Sequence, residues 1–161
     1  MDDVNGIPRH KKNVIEVFYS YAHEDEKWRI ELEKHLSLLK HQHLVKSWKD
    51  RDIKAGDEWK KEISIHLKSA QIILLLISPD FMASDYCYSI EMKYAMRRHN
   101  TGESCVIPTI IRPVDWHKAP FGKLHALPKD GIPVTTWPNQ DEAFLNIVKG
   151  IRLVVEDMVK K

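Results

Sequence analysis

Glu91 is the side chain whose type and setting best suit chemistry. Ser84 can cap a helix that runs through Glu91 towards Arg98 and is stopped by Asn100, Thr101 and Gly102. On that helix Tyr86, Ile90 and Tyr94 form the stripe expected to face a sheet. Cys87, Glu91 and Ala95 form the adjacent stripe, which sets the carboxylate at the edge of the core. A carboxylate facing a partly desolvated cleft can stabilise the positive charge that builds on a sugar ring as a glycosidic bond breaks. Nicotinamide joined to ribose is already cationic and needs no general acid to leave, so one carboxylate can suffice. On spacing alone a solvated helix residue, or one paired with Lys93 or Arg97, is the favoured reading.

Other chemistries find less support. Hydride transfer with a nicotinamide cofactor would call for G-x-G-x-x-G after the first strand, but Ser20-Tyr21-Ala22-His23-Glu24-Asp25 has no glycine and places acid where phosphate would sit. No glycine-rich stretch ends in Lys-Ser or Lys-Thr, so the cradle for nucleotide triphosphate hydrolysis is missing. Asp50 and Asp52 could offer oxygen ligands, yet two acids alternating with Arg51 read as a solvated loop, and no metal site is expected. His41 and His43 would not share a helical face. Trp48, Trp116 and Trp137 read as core or loop anchors, as does Trp59, although its place opening a helix after a charged loop would also let it cover a ligand.

The elements that must position Glu91 follow from the hydrophobic pattern. Val14 to Tyr19 has the composition of a strand buried on both faces, and Leu44 to Trp48, Ile72 to Ile77 and Val106 to Ile111 read as three more. Ile132 to Trp137 reads as a fifth, marginal strand. Helices are expected over Glu24 to Lys40, where Trp28, Leu32, Leu36 and Leu39 recur at helical spacing, and from Asp57 with Trp59, Ile63, Leu67 and Ala70 on one face. A closing helix carries Phe144, Ile147, Val148, Ile151, Val154, Val155 and Met158. Pro113, Pro120 and Pro128 make the segment from Arg112 to Gly131 a long irregular connection. Alternation of strands and helices implies an α/β, three-layer, flavodoxin-like fold with a five-stranded parallel sheet in the order 2-1-3-4-5 and helices on both faces. Ligands in such sheets bind beyond the carboxyl ends of the strands at the switch point, here between the first and third. Ser20 to His23 and Ser78 to Glu91 must meet there, flanked by the loop Lys49 to Gly56.

Composition agrees with one folded unit. The 161 residues are 43% hydrophobic and 30% charged, which suits a single core, with a polar lead over residues 1–13 and one domain over 14–159. The 25 basic and 23 acidic side chains are interspersed and leave a net charge of +2, so no footprint for nucleic acid is expected. Cys87 and Cys105 lack disulfide-framework or metal spacing, which fits a reducing cytoplasm. The apolar run Ile72 to Ile77 is too short to cross a bilayer and no membrane association is expected.

Four segments, taken in order, resemble Toll/interleukin-1 receptor (TIR) domains. Val17-Phe18-Tyr19-Ser20-Tyr21-Ala22-His23-Glu24-Asp25 is similar to their first box, and Trp48-Lys49-Asp50-Arg51-Asp52-Ile53-Lys54-Ala55-Gly56-Asp57 to their second strand and BB loop. Ile73 to Phe81 with Ser84 to Glu91 resembles the third strand and catalytic helix. Pro120-Phe121-Gly122-Lys123-Leu124, followed by Leu127-Pro128, is similar to the tail of bacterial members. The resemblance implies a flavodoxin-like fold, self-association through the Lys49 to Gly56 loop, and cleavage of NAD as substrate, without a resident cofactor, by a glutamate at the position of Glu91. It further implies that Tyr21, Ala22 and Lys54 lie near the nucleotide and that Trp59 approaches the nicotinamide or its ribose. Many active members have tryptophan where this chain has Cys87, between Tyr86 and Tyr88.

Two function classes follow. One is an enzyme of the NAD-cleaving bacterial branch, releasing nicotinamide with ADP-ribose or a cyclic isomer in signalling or immune defence, with a sensor domain fused to it or supplied as a partner. The other is a scaffold in which the same surfaces recruit further TIR domains without turnover. A phosphoacceptor receiver domain shares the strand order but needs an aspartate ending the third strand, where this chain has Ser78.

Overall fold

A computed structural model describes residues 14–49 and 64–160. Four parallel strands form one sheet in the order β2-β1-β3-β4: β1 (Ile15–Ser20), β2 (Val45–Trp48), β3 (Ile72–Ile77) and β4 (Cys105–Ile110). The strands run almost unbroken in apolar residues because helices cover both faces, and β3 is buried along its whole length. Since successive side chains point to opposite faces, each strand feeds two cores. Val17, Tyr19, Ile72, Leu74 and Leu76 pack with Leu32 of α1 (Glu26–His35), Leu39 of α2 (Ser37–His41) and Phe144, Ile147, Ile151 and Val155 of α6 (Gln140–Lys160). Phe18, Ile73, Leu75 and Ile77 pack with Leu67 of α3 (Ile65–Ser69), Phe81 of α4 (Pro79–Ala83) and Ala95 of α5 (Lys93–Asn100). The sheet order reverses between β1 and β3, where β1 sends its following helices to one face and the chain entering β3 comes from the other.

Three expectations need correction. The fifth strand does not form. Residues 132–137 instead contain a 3-10 turn at Val134–Thr136, because Pro133 has no amide to give a ladder and the amides of Thr136 and Trp137 turn back to the carbonyls of Pro133 (2.9 Å) and Val134 (3.2 Å). Among the described residues the outer edge of β4 is met by Leu127, which donates to the Pro108 carbonyl (2.9 Å) and accepts from the Ile110 amide (2.8 Å), and by the His99 imidazole, which accepts from the Val106 amide (3.0 Å). The helix expected over residues 24–40 is divided into a 3-10 turn at His23–Asp25, then α1 and α2, with a break at Leu36 (φ −84°, ψ 0°). The third correction concerns the face that Glu91 presents, because Asp85–Met92 is π-helical rather than α-helical.

Among the described residues, no helix is long and apolar enough to cross a membrane.

Candidate functional site

The π-helical stretch sets the position of Glu91. Ser84 caps it as expected, its hydroxyl accepting from the Cys87 amide at 3.1 Å. Hydrogen bonds from i to i+5 then widen each turn, and the inward face passes through Cys87, Glu91, Met92 and Ala95. Tyr86, Ile90 and Tyr94 are only partly covered. Glu91 therefore lies in the interior, 0% exposed, and not at the core's edge. The reading of Glu91 as a solvated helix residue fails with it. A buried carboxylate is tolerated when hydrogen bonds hold it. Here the Ser20 hydroxyl, at the carboxyl end of β1, donates to Glu91 Oε1 at 2.7 Å.

Beside this pair, three strand ends are tied together by charge. The Asp25 carboxylate, fully buried, accepts from the Ser78 hydroxyl just past β3 and from Arg112 Nε (3.0 Å) just past β4. Arg112 also bonds Asp80 on α4, and these two carboxylates outweigh the effect of burial and raise the pKa of its guanidinium. The Ser78 oxygen serves twice, since it also accepts from the Phe81 amide (3.0 Å) as the cap of α4. The cluster fixes the rim of the switch point with groups from four elements.

A second charged chain runs along α1. The Tyr21 hydroxyl donates to Glu26, which also takes Arg29 (2.7 Å) and Lys49 (3.5 Å), the last residue before the undescribed segment 50–63. Arg29 lies 5.7 Å from the ring centroids of both Tyr19 and Tyr21 and continues to Glu33, which takes Lys40 at 2.7 Å. Burial opposes ionisation of Glu26, but the hydrogen bonds from Arg29 and Tyr21 and the charges of Arg29 and Lys49 prevail and hold its carboxyl at about 2. Burial, reinforced by Glu26, pushes the Tyr21 hydroxyl the other way, so it remains a neutral donor.

Of the residues singled out by sequence, Glu91, Cys87 and Ala22 meet on the α3-side face of the sheet, where Cys87 and Ala22 are buried in the apolar cluster. Tyr21 is buried on the opposite face, against α1. Lys54 and Trp59 lie outside the described residues, as do Gly56, Asp57, Asp50 and Asp52. The rest of the Lys49 to Gly56 loop shares that segment, and Lys49 alone is placed. Sequence reasoning missed Ser20, Ser78, Asp25 and Arg112 as site-building groups. Their signal was faint: each serine or arginine stands where an apolar strand ends, and Asp25 is one of three consecutive acids of which only the fold can choose the inward one.

A family model described as TIR domain matches residues 17–146. The chain belongs to the TIR domain family. An uncharacterized protein of Sinorhizobium fredii, y4lF, is 56% identical over 136 residues, and the match covers 84% of this chain but only 42% of that relative. The chain thus spans less than half the length of the curated relative that it matches. In structure it is similar to the TIR domain of the Toll-related receptor TRR-2 from Hydra magnipapillata, with a TM-score of 0.54, 20% identity, and coverage of 84% of this chain and 97% of that one. The TIR domains of the activated Roq1 resistosome align with a TM-score of 0.45 and 22% identity over 62% of this chain and 59% of theirs.

Proposed function

We propose that this TIR domain is an NAD+ glycohydrolase of the NAD-cleaving bacterial branch, with Glu91 as its catalytic residue. The observation that carries this reading is a fully buried glutamate, oriented by a hydroxyl at 2.7 Å, at the switch point where α/β sheets bind ligands. In the reaction the bond between ribose C1′ and the nicotinamide nitrogen breaks, and its electron pair neutralises the pyridinium. The ribosyl cation left behind is stabilised by the Glu91 carboxylate. Water then adds to C1′ and loses a proton, giving ADP-ribose, or an adenine nitrogen adds to give a cyclic isomer. Ala22 and Cys87, which share Glu91's face, would line the approach to it, with Lys54 and Trp59 contributed by the loop and Tyr21, on the opposite face, reaching the nucleotide only if its bond to Glu26 opens.

Because Glu91 is 0% exposed, NAD reaches it only when the cleft opens. Self-association through the Lys49 to Gly56 loop supplies that opening in this reading. A sensor domain belonging to the same longer protein, or a partner, supplies the trigger for signalling or defence in the cytoplasm.

The test is nicotinamide release from NAD by wild type and by Glu91→Gln at equal folded concentration, followed by chromatography of the nucleotides. Glu91→Gln is isosteric and should keep the hydrogen bond from Ser20 and the fold, while turnover falls by roughly 10²-fold or more. Equal turnover in the two proteins removes the catalytic assignment. Assembly by wild type without any turnover would leave the scaffold reading in its place.

A further inference from the structure

Ser20 does more than end a strand. It is 0% exposed, and its hydroxyl reaches across 71 residues of sequence to Glu91 Oε1 at 2.7 Å. Its neighbours Tyr19 and Tyr21 pack into the core on the α1 side, whereas Phe18 and Ala22 pack on the side of α3 and Glu91. Alternation along the chain therefore aims Ser20 at the π-helical stretch. The main chain behind it is rigid, since Ser20 pairs with Leu75 in the middle of the sheet. On the other side of the contact Glu91 sits in a π-helical stretch, a rare geometry found frequently at functional sites.

On the same face of the sheet Phe18, Ala22, Cys87 and Met92 are buried in one apolar cluster. In such surroundings a charge-assisted hydrogen bond is about twice as strong as a neutral one, and a carboxylate is turned by whichever donor is fixed nearest to it. We propose that Ser20 is the positioning residue of the site: its hydroxyl holds Oε1 and so fixes the plane in which the Glu91 carboxylate meets the ribosyl centre. Ser20 itself touches no reacting atom. The inference rests on Glu91 being the catalytic carboxylate, and its test has one arm that does not depend on turnover.

The variants are Ser20→Ala, which removes the donor, and Ser20→Thr, which keeps it. Isotope-edited infrared spectra of protein carrying 13C-carboxyl glutamate, with the band lost in Glu91→Gln assigned to Glu91, report the carboxylate directly. The Glu91 stretch should shift in Ser20→Ala and stay in place in Ser20→Thr. With NAD, kcat should fall by about 10- to 100-fold in Ser20→Ala while KM stays within about threefold, and Ser20→Thr should recover most of the rate. An unshifted band in Ser20→Ala overturns the inference whether or not the protein cleaves NAD. A shifted band with wild-type kcat also overturns it, by showing that the orientation does not matter to the reaction. A shifted band in Ser20→Ala, where wild type itself shows no turnover, keeps the Ser20 contact but removes the NAD reading and with it the positioning role.

Discussion

At the scale of residues, Glu26 gives the clearest dependence on pH. Its carboxyl titrates at about 2 in the folded chain against an ordinary value of 4.5, so its contribution to stability is present above the ordinary value and is lost as pH falls towards 2. Its side chain is 31% exposed, and solvent screening limits the contribution to under about 1 kcal/mol. In urea, wild type should be more stable than Glu26→Gln at pH 6, and the difference should shrink from about pH 5 downwards and vanish near pH 2. A difference independent of pH would show that the ion pairs with Arg29 and Lys49 are not its source. Individual side chains were the least legible part of the sequence. Glu91 was marked by family resemblance, since its spacing by itself favoured a solvated residue. Ser20 was legible only as the start of a segment that must meet the one ending in Glu91, because nothing local says which hydroxyl a distant carboxylate will meet. Asp25 and Glu26 are adjacent in sequence yet serve separate networks, one at the strand ends and one along α1, and that division is made by the direction of the chain as it leaves β1.

At the scale of elements, long apolar runs were readable and deviations from ideal geometry were not. β3 falls where its uninterrupted Ile and Leu residues place it, and β1, β2 and β4 lie within one residue of their expected ends. The face of the helix bearing Glu91 was misjudged because a period of 3.6 residues was assumed where the chain takes wider turns. The marginal fifth strand was lost to Pro133 and to local turn bonding. The irregular connection 112–131 hides a demanding turn. A Cβ on Gly122 would lie 2.1 Å from the His117 carbonyl oxygen and 2.6 Å from its carbon, both main-chain atoms that cannot swing aside. Phe121, next to it, is fully buried, so the turn cannot shift without disturbing the core. Gly122→Ala should therefore cost about 2 to 3 kcal/mol and lower Tm by roughly 4–12 °C. Gly102→Ala is the control, since there the space is open and only the positive φ of 79° opposes a side chain, a cost of about 1 kcal/mol. Equal effects of the two changes would mean that backbone angle, and not the close approach at His117, dominates.

At the scale of the molecule, the burial of Glu91 makes assembly part of the proposed mechanism. If a neighbouring copy opens the cleft, nicotinamide released per molecule of enzyme should rise with concentration from nanomolar to tens of micromolar, in step with an oligomer seen by light scattering. Constant specific activity from a monomer across that range would place the opening motion within one chain. The two ends of the segment at issue already carry a gauge of such motion. The Trp48 indole at the end of β2 and the His66 imidazole in α3 lie face to face, with centroids 3.8 Å apart and planes within 4°. One ring precedes residues 49–65 and the other follows them, so the two chain ends cannot part without unstacking the rings. Indole emission responds to what lies against its face, which turns the pair into a native optical reporter needing no attached dye. The sequence holds 5 tryptophans, and subtracting the signal of a Trp48→Phe protein isolates the one that matters. Movement of the segment's ends, on adding NAD or on crowding the chains together, can thus be followed in time by fluorescence alone.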